Sequence, residues 1–342
     1  MFGKNKDSAV VSLLKQKAEG IKARILLPEV TDERVLEAAV LATKHSGVVV
    51  VLLGKREKFD GIIPKKALSK MDFIDPKDKQ LQIRLASLLY ELRSHKGMTV
   101  DEAREKVADP MYFSMLLLQA GMVDGVVAGA VTHTADVLRP AFQIVRAKED
   151  VGIVSSVMLV DTKNPAIGEN GLLVMGDCGV VVDPTVDELA AIAVQSAATA
   201  KELFDFNEPR VALLSFSTKD GGNKISEPVQ KVKDAFLKIR RLDSKLAVDG
   251  ELQVDSALSA EVAKQKCPNS KVAGRANVLV FPDLNSGNIG YKLAARVGGA
   301  EAVGPVLQGL NRPVNDLSRG ATAEEIYLEI LITAIQAENN KK

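Results

Sequence analysis

Residues 23–53 read ARILLPEVTDERVLEAAVLATKHSGVVVVLL, and this stretch decides the fold class. Two apolar runs of strand length, 23–27 and 47–53, flank a segment at 31–44 in which apolar residues recur with a helical period. Both runs consist mostly of Val, Ile and Leu, as is typical of strands that are buried on both faces of a parallel sheet. The order strand, helix, strand therefore predicts a βαβ unit.

The same alternation continues along the chain. Thr99 with Glu102 and Thr185 with Glu188 match the capping box, in which a hydroxyl and a carboxylate satisfy the first amides of a helix, so a helix is predicted after each threonine. We predict an α/β fold with mostly parallel sheets. Further strands are predicted at 125–130, 152–160, 179–182, 211–216 and 276–281.

The length of 342 residues indicates two domains at about 150 residues per domain. A charged stretch, RAKED at 146–150, separates the first series of strands and helices from the next, so we place the domain boundary there. Gly and Pro residues at 309–315 indicate an irregular segment before a predicted last helix at 323–337. The pattern leaves open the domain on which that helix packs.

Composition excludes several classes of function. The 45 Lys and Arg nearly balance the 44 Asp and Glu, and a net charge of +1 supplies no bulk field for nucleic acid or an anionic membrane. No G-x-G or Walker A sequence occurs, and the 3 His residues are too widely spaced for a zinc helix. The charge-free stretch 110–123 is shorter than the ~20 residues of a membrane-spanning helix. With 2 Cys and no signal peptide pattern, a cytoplasmic protein is expected.

A first candidate site is NSGNIG at 285–290, which contains Ser286, Gly287 and Asn288. It follows a predicted strand and precedes a helical pattern, and a small polar loop in that place offers amide groups and the positive end of a helix dipole to a phosphate. The alternative is structural: Ser and Asn cap the helix, and the glycines make the turn.

A second candidate is THTADVLRP at 132–140, after the predicted strand at 125–130. Arg139 presents a planar fork of donors suited to phosphate or carboxylate, and Thr132 opens the same loop. Arg139 could equally be a solvated helix residue or the ion-pair partner of Asp136.

A third candidate is PVNDLSRG at 313–320, an irregular segment with Ser318 and Arg319 side by side. Thr322 with Glu325 then matches a capping box, which favours a structural role for Glu325 when it is considered alone. Cys178 is better explained as a buried small side chain than as a nucleophile, because no His lies near it in the sequence. The carboxylates at 249–255 could hold a metal, although ion pairs in the wall of the fold explain them better.

Taken together, these segments resemble the phosphate acetyltransferase (phosphotransacetylase) family over most of the chain. The most specific matches are FPDLNSGNIGYK at 281–292 and PVNDLSRG at 313–320, supported by LPE at 27–29 and LRPAF at 138–142. The resemblance implies a two-domain fold of the isocitrate/isopropylmalate dehydrogenase type, with mostly parallel sheets and a cleft between the domains. It assigns 1–150 to domain one, completed by 313–342, and 151–312 to domain two, which would carry the phosphate loop and the homodimer interface.

The resemblance also implies reversible transfer of an acetyl group between acetyl phosphate and coenzyme A, with no tightly bound cofactor and no metal. Ser318, Arg319 and Glu325 correspond to catalytic positions: Glu325 would accept the thiol proton, and Arg319 would bind the phosphoryl group. The family has Asp where this chain has Glu325, so a noncatalytic sensor of coenzyme A or acetyl phosphate is an alternative, as is a preference for butyryl or longer chains. Should Glu325 be only a cap, Asp316 is the substitute acceptor.

The same resemblance assigns substrate binding to further residues. Arg139 would help to hold phosphate, and Arg93, in YELRSHKG at 90–97, would meet a phosphate of coenzyme A. Thr132 and the group Ser286, Gly287 and Asn288 complete the predicted binding residues.

Overall fold

The computed structural model describes residues 8–45, 47–219 and 226–341. Strands and helices alternate along most of this length, as the sequence predicts. The strands are β1 (Arg24–Leu27), β2 (Val49–Leu53), β3 (Asp72–Ile74), β4 (Gly125–Ala128), β5 (Ser155–Asp161), β6 (Leu172–Gly176), β7 (Arg210–Leu214), β8 (Ala247–Leu252), β9 (Val278–Val280), β10 (Glu301–Gln308) and β11 (Val314–Asp316). The helices are α1 (Ala9–Ala18), α2 (Glu33–His45), α3 (Lys65–Leu68), α4 (Lys79–Arg93), α5 (Val100–Lys106), α6 (Pro110–Gln119), α7 (Thr134–Pro140), α8 (Val186–Phe204), α9 (Glu227–Leu242), α10 (Val254–Leu258), α11 (Ala260–Lys266), α12 (Leu284–Arg296) and α13 (Ala323–Asn339).

The chain divides into two compact units. The first unit contains residues 13–147 together with the described residues from 310 on. The second unit contains residues 148–309 together with the described residues up to Ser12. The outer limits of the predicted first domain, residues 1–7 and 342, lie outside the described residues.

The first unit is built on a five-stranded parallel sheet with the order β11-β4-β1-β2-β3. The last helix, α13, packs on α2 and β4 with an almost wholly buried run from Ile326 to Ile335. Each buried aliphatic side chain of such a helix contributes ~1.5–3 kcal/mol to folding. Gly125 allows the close approach, because a Cβ atom there would lie 2.4 Å from Cγ2 of Thr333 on α13.

The second unit is built on a six-stranded sheet with the order β10-β5-β6-β9-β7-β8. The pairs β10–β5 and β5–β6 are antiparallel, and the remaining pairs are parallel. The α/β class with mostly parallel sheets is therefore confirmed. Both capping boxes predicted at Thr99 and Thr185 are formed.

Two local predictions are wrong. The predicted strand at 179–182 is a loop, because the carboxylate of Asp177 accepts the backbone N–H groups of residues 179, 180 and 181 at 2.8, 3.1 and 2.8 Å and removes them from sheet pairing. The strand in this part of the chain is β6, which ends at Gly176, before the loop. The predicted loop at 285–290 forms the first turns of α12.

Candidate active site

Three neighbouring strands of the first unit end at one edge of its sheet. Because β11, β4 and β1 run parallel, their carboxyl ends lie together, which is where open α/β sheets bind ligands. The loop after β4 carries Thr132, and the loop after β11 carries Ser318 and Arg319. The first unit thus brings these three predicted residues to the same edge. The loop after β1 carries Glu29, which the sequence analysis quoted within LPE at 27–29 without assigning it a role.

Glu29 holds the loop after β4 in place. Its Oε2 atom accepts the backbone N–H groups of Gly129 and Ala130 at 2.8 and 2.7 Å, and its Oε1 atom accepts those of Val131 and Thr132 at 3.1 and 2.8 Å. Four donors compensate the ionised carboxylate of a side chain that is only 6% exposed. The backbone that carries Thr132 is therefore fixed by a charged group on the neighbouring strand end.

Arg34, on the first turn of α2, ties the loop after β11 to the loop after β4. Its Nη1 atom donates to the carbonyl oxygens of Arg319 and Ala321 at 2.9 and 2.7 Å, and its Nη2 atom donates to that of Ala130 at 3.0 Å. Asp32 orients the guanidinium at 2.7 Å, and this hydrogen bond lowers the pKa of Asp32 below its ordinary value. The sequence analysis gave no role to Arg34.

Ser318 and Arg319 are exposed on the loop that Arg34 holds. Within the described residues, the Arg319 side chain makes no hydrogen bond or ion pair, so its donors are available to a ligand. Arg139 pairs with Asp136 at 3.2 Å, as the structural alternative proposed. Both side chains are more than half exposed, and such pairs contribute only ~0–1 kcal/mol, so this pair leaves Arg139 able to exchange its partner for an anion.

Arg93 is the last residue of α4. Its Nε atom is buried and has no hydrogen-bond partner among the residues that the structure describes. A buried donor without an acceptor costs free energy, so this N–H group is suited to an anionic ligand. Arg146 donates to the carbonyl oxygen of Leu92 at 2.8 Å and holds this end of the helix.

Glu325 forms the predicted helix cap. The backbone N–H of Thr322 donates to Oε2 of Glu325 at 2.7 Å, and the N–H of Glu325 donates to Oγ1 of Thr322 at 3.2 Å. The capping role is therefore confirmed, whereas the role of proton acceptor stays a prediction. The Glu325 side chain remains exposed at the start of α13.

Two further carboxyl groups lie behind this edge of the sheet. Asp316 ends β11 and is 4% exposed, and burial raises its pKa from 3.8 to about 6. Glu329 lies in the second turn of α13 and is 3% exposed, and burial, followed by the nearby charges of Glu325 and Asp316, raises its pKa from 4.5 to about 8. Sequence reasoning missed Glu329, although it is the one charged residue in the run IYLEILITAI at 326–335.

Ser286, Gly287 and Asn288 belong to the second unit and lie inside α12. The cap of this helix is Asp283, whose carboxylate accepts the N–H of Ser286 at 2.9 Å. The hydroxyl of Ser286 donates to the carbonyl oxygen of Asp283 at 2.8 Å. The structural alternative was thus right that the segment starts a helix, but wrong about which residue caps it.

Gly287 and Asn288 pack α12 against the loop after β6. A Cβ atom on Gly287 would lie 2.1 Å from the carbonyl oxygen of Asp177, so only glycine fits there. The amide of Asn288 donates to the carbonyl oxygen of Cys178 at 3.0 Å. Burial raises the pKa of the Cys178 thiol well above its ordinary value, which keeps it protonated and fits the structural explanation of this cysteine.

The carboxylate row at 249–255 is engaged in ion pairs and hydrogen bonds. Lys219 and the hydroxyl of Ser270 both bind the carboxylate of Asp249, and Lys266 pairs with Asp255 at 2.9 Å. Across residues 8–45, 47–219 and 226–341, no group of three or more His, Cys, Asp and Glu could hold a metal ion. In the same part of the chain, no helix is long and apolar enough to cross a membrane.

Known proteins are similar to this chain over nearly its whole length. Residues 9–334 match the family described as Phosphate acetyl/butaryl transferase. A phosphate acetyltransferase of Thermoanaerobacterium thermosaccharolyticum is 46% identical over 96% of this chain and 100% of its own. Among solved structures, a phosphotransacetylase from Streptococcus pyogenes has a TM-score of 0.87 and 41% identity, covering 98% of this chain and 100% of its own. One from Staphylococcus aureus has a TM-score of 0.83 and 39% identity, covering 96% and 98%.

Proposed function

The chain belongs to the Phosphate acetyl/butaryl transferase family, and from that premise we propose that it catalyses reversible acetyl transfer between acetyl phosphate and coenzyme A. The observation that carries the proposal is the 46% identity to a phosphate acetyltransferase that is covered from end to end. The substrates are coenzyme A with acetyl phosphate in one direction, and acetyl-coenzyme A with phosphate in the other.

In the transfer, the thiol of coenzyme A attacks the acetyl carbonyl, the bond from carbon to the phosphate oxygen breaks, and phosphate leaves with the electron pair. Arg319 binds the phosphoryl group and stabilises the charge that collects on oxygen. Its exposed and unpaired guanidinium supports this role. Ser318 donates a hydrogen bond to the acyl group or to the sulfur. Arg34 and Glu29 position the two loops without touching the substrate.

The thiol proton requires an acceptor. We propose Glu325 for this role, because its carboxylate is exposed at the start of α13, five residues after Gly320. The capping box uses Oε2 of this carboxylate and is compatible with a second role for the group. Asp316 is the substitute acceptor, and a pKa of about 6 suits a base that operates near neutral pH.

The remaining predicted residues bind substrate in this proposal. Arg139 holds phosphate, which its weak surface pair with Asp136 permits. Arg93 meets a phosphate of coenzyme A, a role supported by its buried Nε without an acceptor. Thr132 lies on the loop that Glu29 fixes. On α12, the side chains of Ser286 and Asn288 and the N–H groups of Leu284, Ser286 and Gly287 are engaged within the protein. Substrate binding by Ser286, Gly287 and Asn288 is therefore proposed on the family resemblance alone.

We also propose the isocitrate/isopropylmalate dehydrogenase type of architecture, with domain one at 1–150 and 313–342 and domain two at 151–312. The division of the chain into compact units near residues 147 and 309 supports this assignment. The two cysteines are free and buried, which supports a reducing, cytoplasmic location.

A homodimer is proposed with an interface on the second unit. Ile289 and Leu293 on α12 and Val297, which directly follows this helix, recur every four residues and are 57%, 56% and 81% exposed. An apolar stripe of this kind on a helix indicates a protein contact. Light scattering after size-exclusion chromatography tests it: a species of twice 36.7 kDa is expected, and Leu293→Asp should convert it to monomer. A wild-type chain of 36.7 kDa at micromolar concentration contradicts the dimer.

Acyl-chain preference is tested by comparing acetyl phosphate and butyryl phosphate under identical conditions with coenzyme A. We expect a kcat/KM at least tenfold higher for acetyl phosphate. A higher value for butyryl phosphate would assign the longer-chain activity instead. Binding of coenzyme A without thioester formation from either donor would assign the sensor role.

A further inference from the structure

A cavity in the first unit lies at the edge of its sheet opposite the candidate active site. Its volume is about 390 Å³, which is within the range of small-molecule sites. Two of its lining residues, Asp124 and Pro313, directly precede β4 and β11, whose other ends carry the loops of the candidate site. The helix α13 spans about 25 Å from the end that carries Glu325 to the end at which Ala337 lines the cavity. The cavity is therefore separate from the residues to which the proposed function assigns the substrates.

Arg312 supplies an unused guanidinium to this cavity. Its side chain is half-buried and makes no hydrogen bond or ion pair with any residue that the structure describes. Partial removal from water without an acceptor costs free energy, and the planar fork of the guanidinium matches the two oxygens of a carboxylate. Lys341 lines the same cavity, and its Nζ atom has only long contacts, 3.3 Å to the carbonyl oxygen of Lys22 and 3.5 Å to Glu338. The cavity thus offers two cations to a carboxylate.

The same cavity presents negative groups to a cation. The Oδ2 atom of Asp124 accepts the backbone N–H of Arg24 at 2.8 Å, whereas its Oδ1 atom makes no hydrogen bond within the described part of the chain. The carboxyl ends of α6 and α13 also reach the cavity, at Gln119 and Asn340. Because the dipole of a helix places partial negative charge at its carboxyl end, both ends stabilise a cation nearby. An ammonium group is therefore suited to this cavity as well as a carboxylate.

Carboxamide side chains line the cavity in addition to the charges. The amide of Asn311 donates to the carbonyl oxygens of residues 145, 146 and 147 at 3.0, 3.3 and 3.1 Å, which fixes this part of the wall. The side chain of Gln119 is half-buried and makes no hydrogen bond to the described residues. Because a carboxamide both donates and accepts, it pairs best with another carboxamide. A simple anion would use Arg312 but would meet Asp124 as a like charge, whereas a zwitterion uses both.

We propose that this cavity binds a free α-amino acid with a carboxamide side chain. Its carboxylate contacts Arg312 and Lys341, its ammonium group contacts Asp124, and its side chain pairs with Gln119. The site goes beyond the proposed function and does not depend on it, because no step of the acetyl transfer uses these four residues. Binding can therefore be measured whether or not the chain forms a thioester.

Isothermal titration calorimetry of the full chain with L-glutamine tests the proposal. We expect a Kd of about 1 mM or lower. Glutaramate is glutamine without the α-ammonium group, and γ-aminobutyramide is glutamine without the carboxylate. Each analogue loses hydrogen bonds to a charged group, so each should bind at least about tenfold more weakly than L-glutamine. Glutaramate that binds as tightly as L-glutamine overturns the zwitterion site, and so does absence of binding by both L-glutamine and L-asparagine at about 10 mM.

Substitutions place the binding in this cavity. Arg312→Ala should weaken the binding of L-glutamine at least about tenfold, and Asp124→Asn, which still accepts the N–H of Arg24, should weaken it at least about threefold. Arg84→Ala is the matched control, because Arg84 is exposed on α4 and does not line the cavity, and its Kd should equal that of wild type. If circular dichroism shows that Arg312→Ala does not fold, Arg312→Gln carries the same comparison. An unchanged Kd in the folded Arg312 variant overturns the proposal.

Discussion

Replacing Glu29 by Gln tests whether one carboxylate organises the candidate site. Each oxygen of Glu29 accepts two backbone N–H groups. In glutamine one oxygen becomes an amide NH₂, which places two pairs of donors against each other. Hydrogen bonds to a charged group contribute ~1.5–3 kcal/mol each, so loss of two lowers the free energy of unfolding of the first unit by about 3–6 kcal/mol. That is a large part of the ~5–15 kcal/mol typical of a protein.

The chain has no Trp, so unfolding in urea is best followed by circular dichroism. Glu33→Gln is the matched control, because Glu33 is exposed on the first turn of α2 and its change should cost within about 0.5 kcal/mol. In kinetics, Glu29→Gln frees the loop that carries Thr132, and displacement of a binding group by ~1 Å lowers kcat/KM by roughly 100-fold. A variant within about 1 kcal/mol of wild type and with unchanged kinetics would refute the reasoning.

Other substitutions test single side chains. Arg319→Lys keeps the charge but loses the fork of donors, so kcat/KM should fall by roughly 100-fold at unchanged stability, and unchanged kinetics would remove Arg319 from the site. Glu325→Gln preserves the capping box but cannot accept a proton; kcat near pH 7 should fall at least about 100-fold, whereas normal turnover leaves Glu325 only a cap. For Glu329→Leu, the raised pKa means that wild type loses stability as pH rises from 4.5 to about 8. The variant should gain up to about 4 kcal/mol on wild type between pH 5 and pH 9 in urea unfolding, and a constant difference contradicts the pKa. Gly287→Ala forces a Cβ against Asp177 and should cost ~1–3 kcal/mol of stability, with an unchanged Tm as the contrary result.

Sequence pattern was sufficient where a strand lies inside a parallel sheet. The runs at 23–27 and 47–53 were predicted because continuous Val, Ile and Leu mark burial on both faces, and β1 and β2 lie within two residues of them. Sequence pattern was insufficient at the edge of the second sheet, where it did not predict β10. This strand contains Gly304 and Pro305, which interrupt the apolar pattern but are tolerated on an edge strand with an irregular register.

Residues of the candidate site were predicted where a local sequence motif contains them. Ser318 and Arg319 were identified from PVNDLSRG, and their exposure fits the predicted roles. The residues that hold this loop were missed because hydrogen bonds from Arg34 to a loop 285 residues away leave no local pattern in the sequence. Glu329 did leave a local signal, a lone acid in an apolar helix face, but only its burial among negative charges gives that signal a meaning.

The most direct test of the proposed reaction mixes the purified protein with acetyl phosphate and coenzyme A and follows the thioester and free phosphate in the same sample. Direct acetyl transfer predicts that the two products form in equal amounts, that no phosphate is released without coenzyme A, and that acetyl-coenzyme A with phosphate yields acetyl phosphate in the reverse direction. Phosphate release without thioester, or no product in either direction, would contradict the assignment of this chain as an acetyl-transferring enzyme.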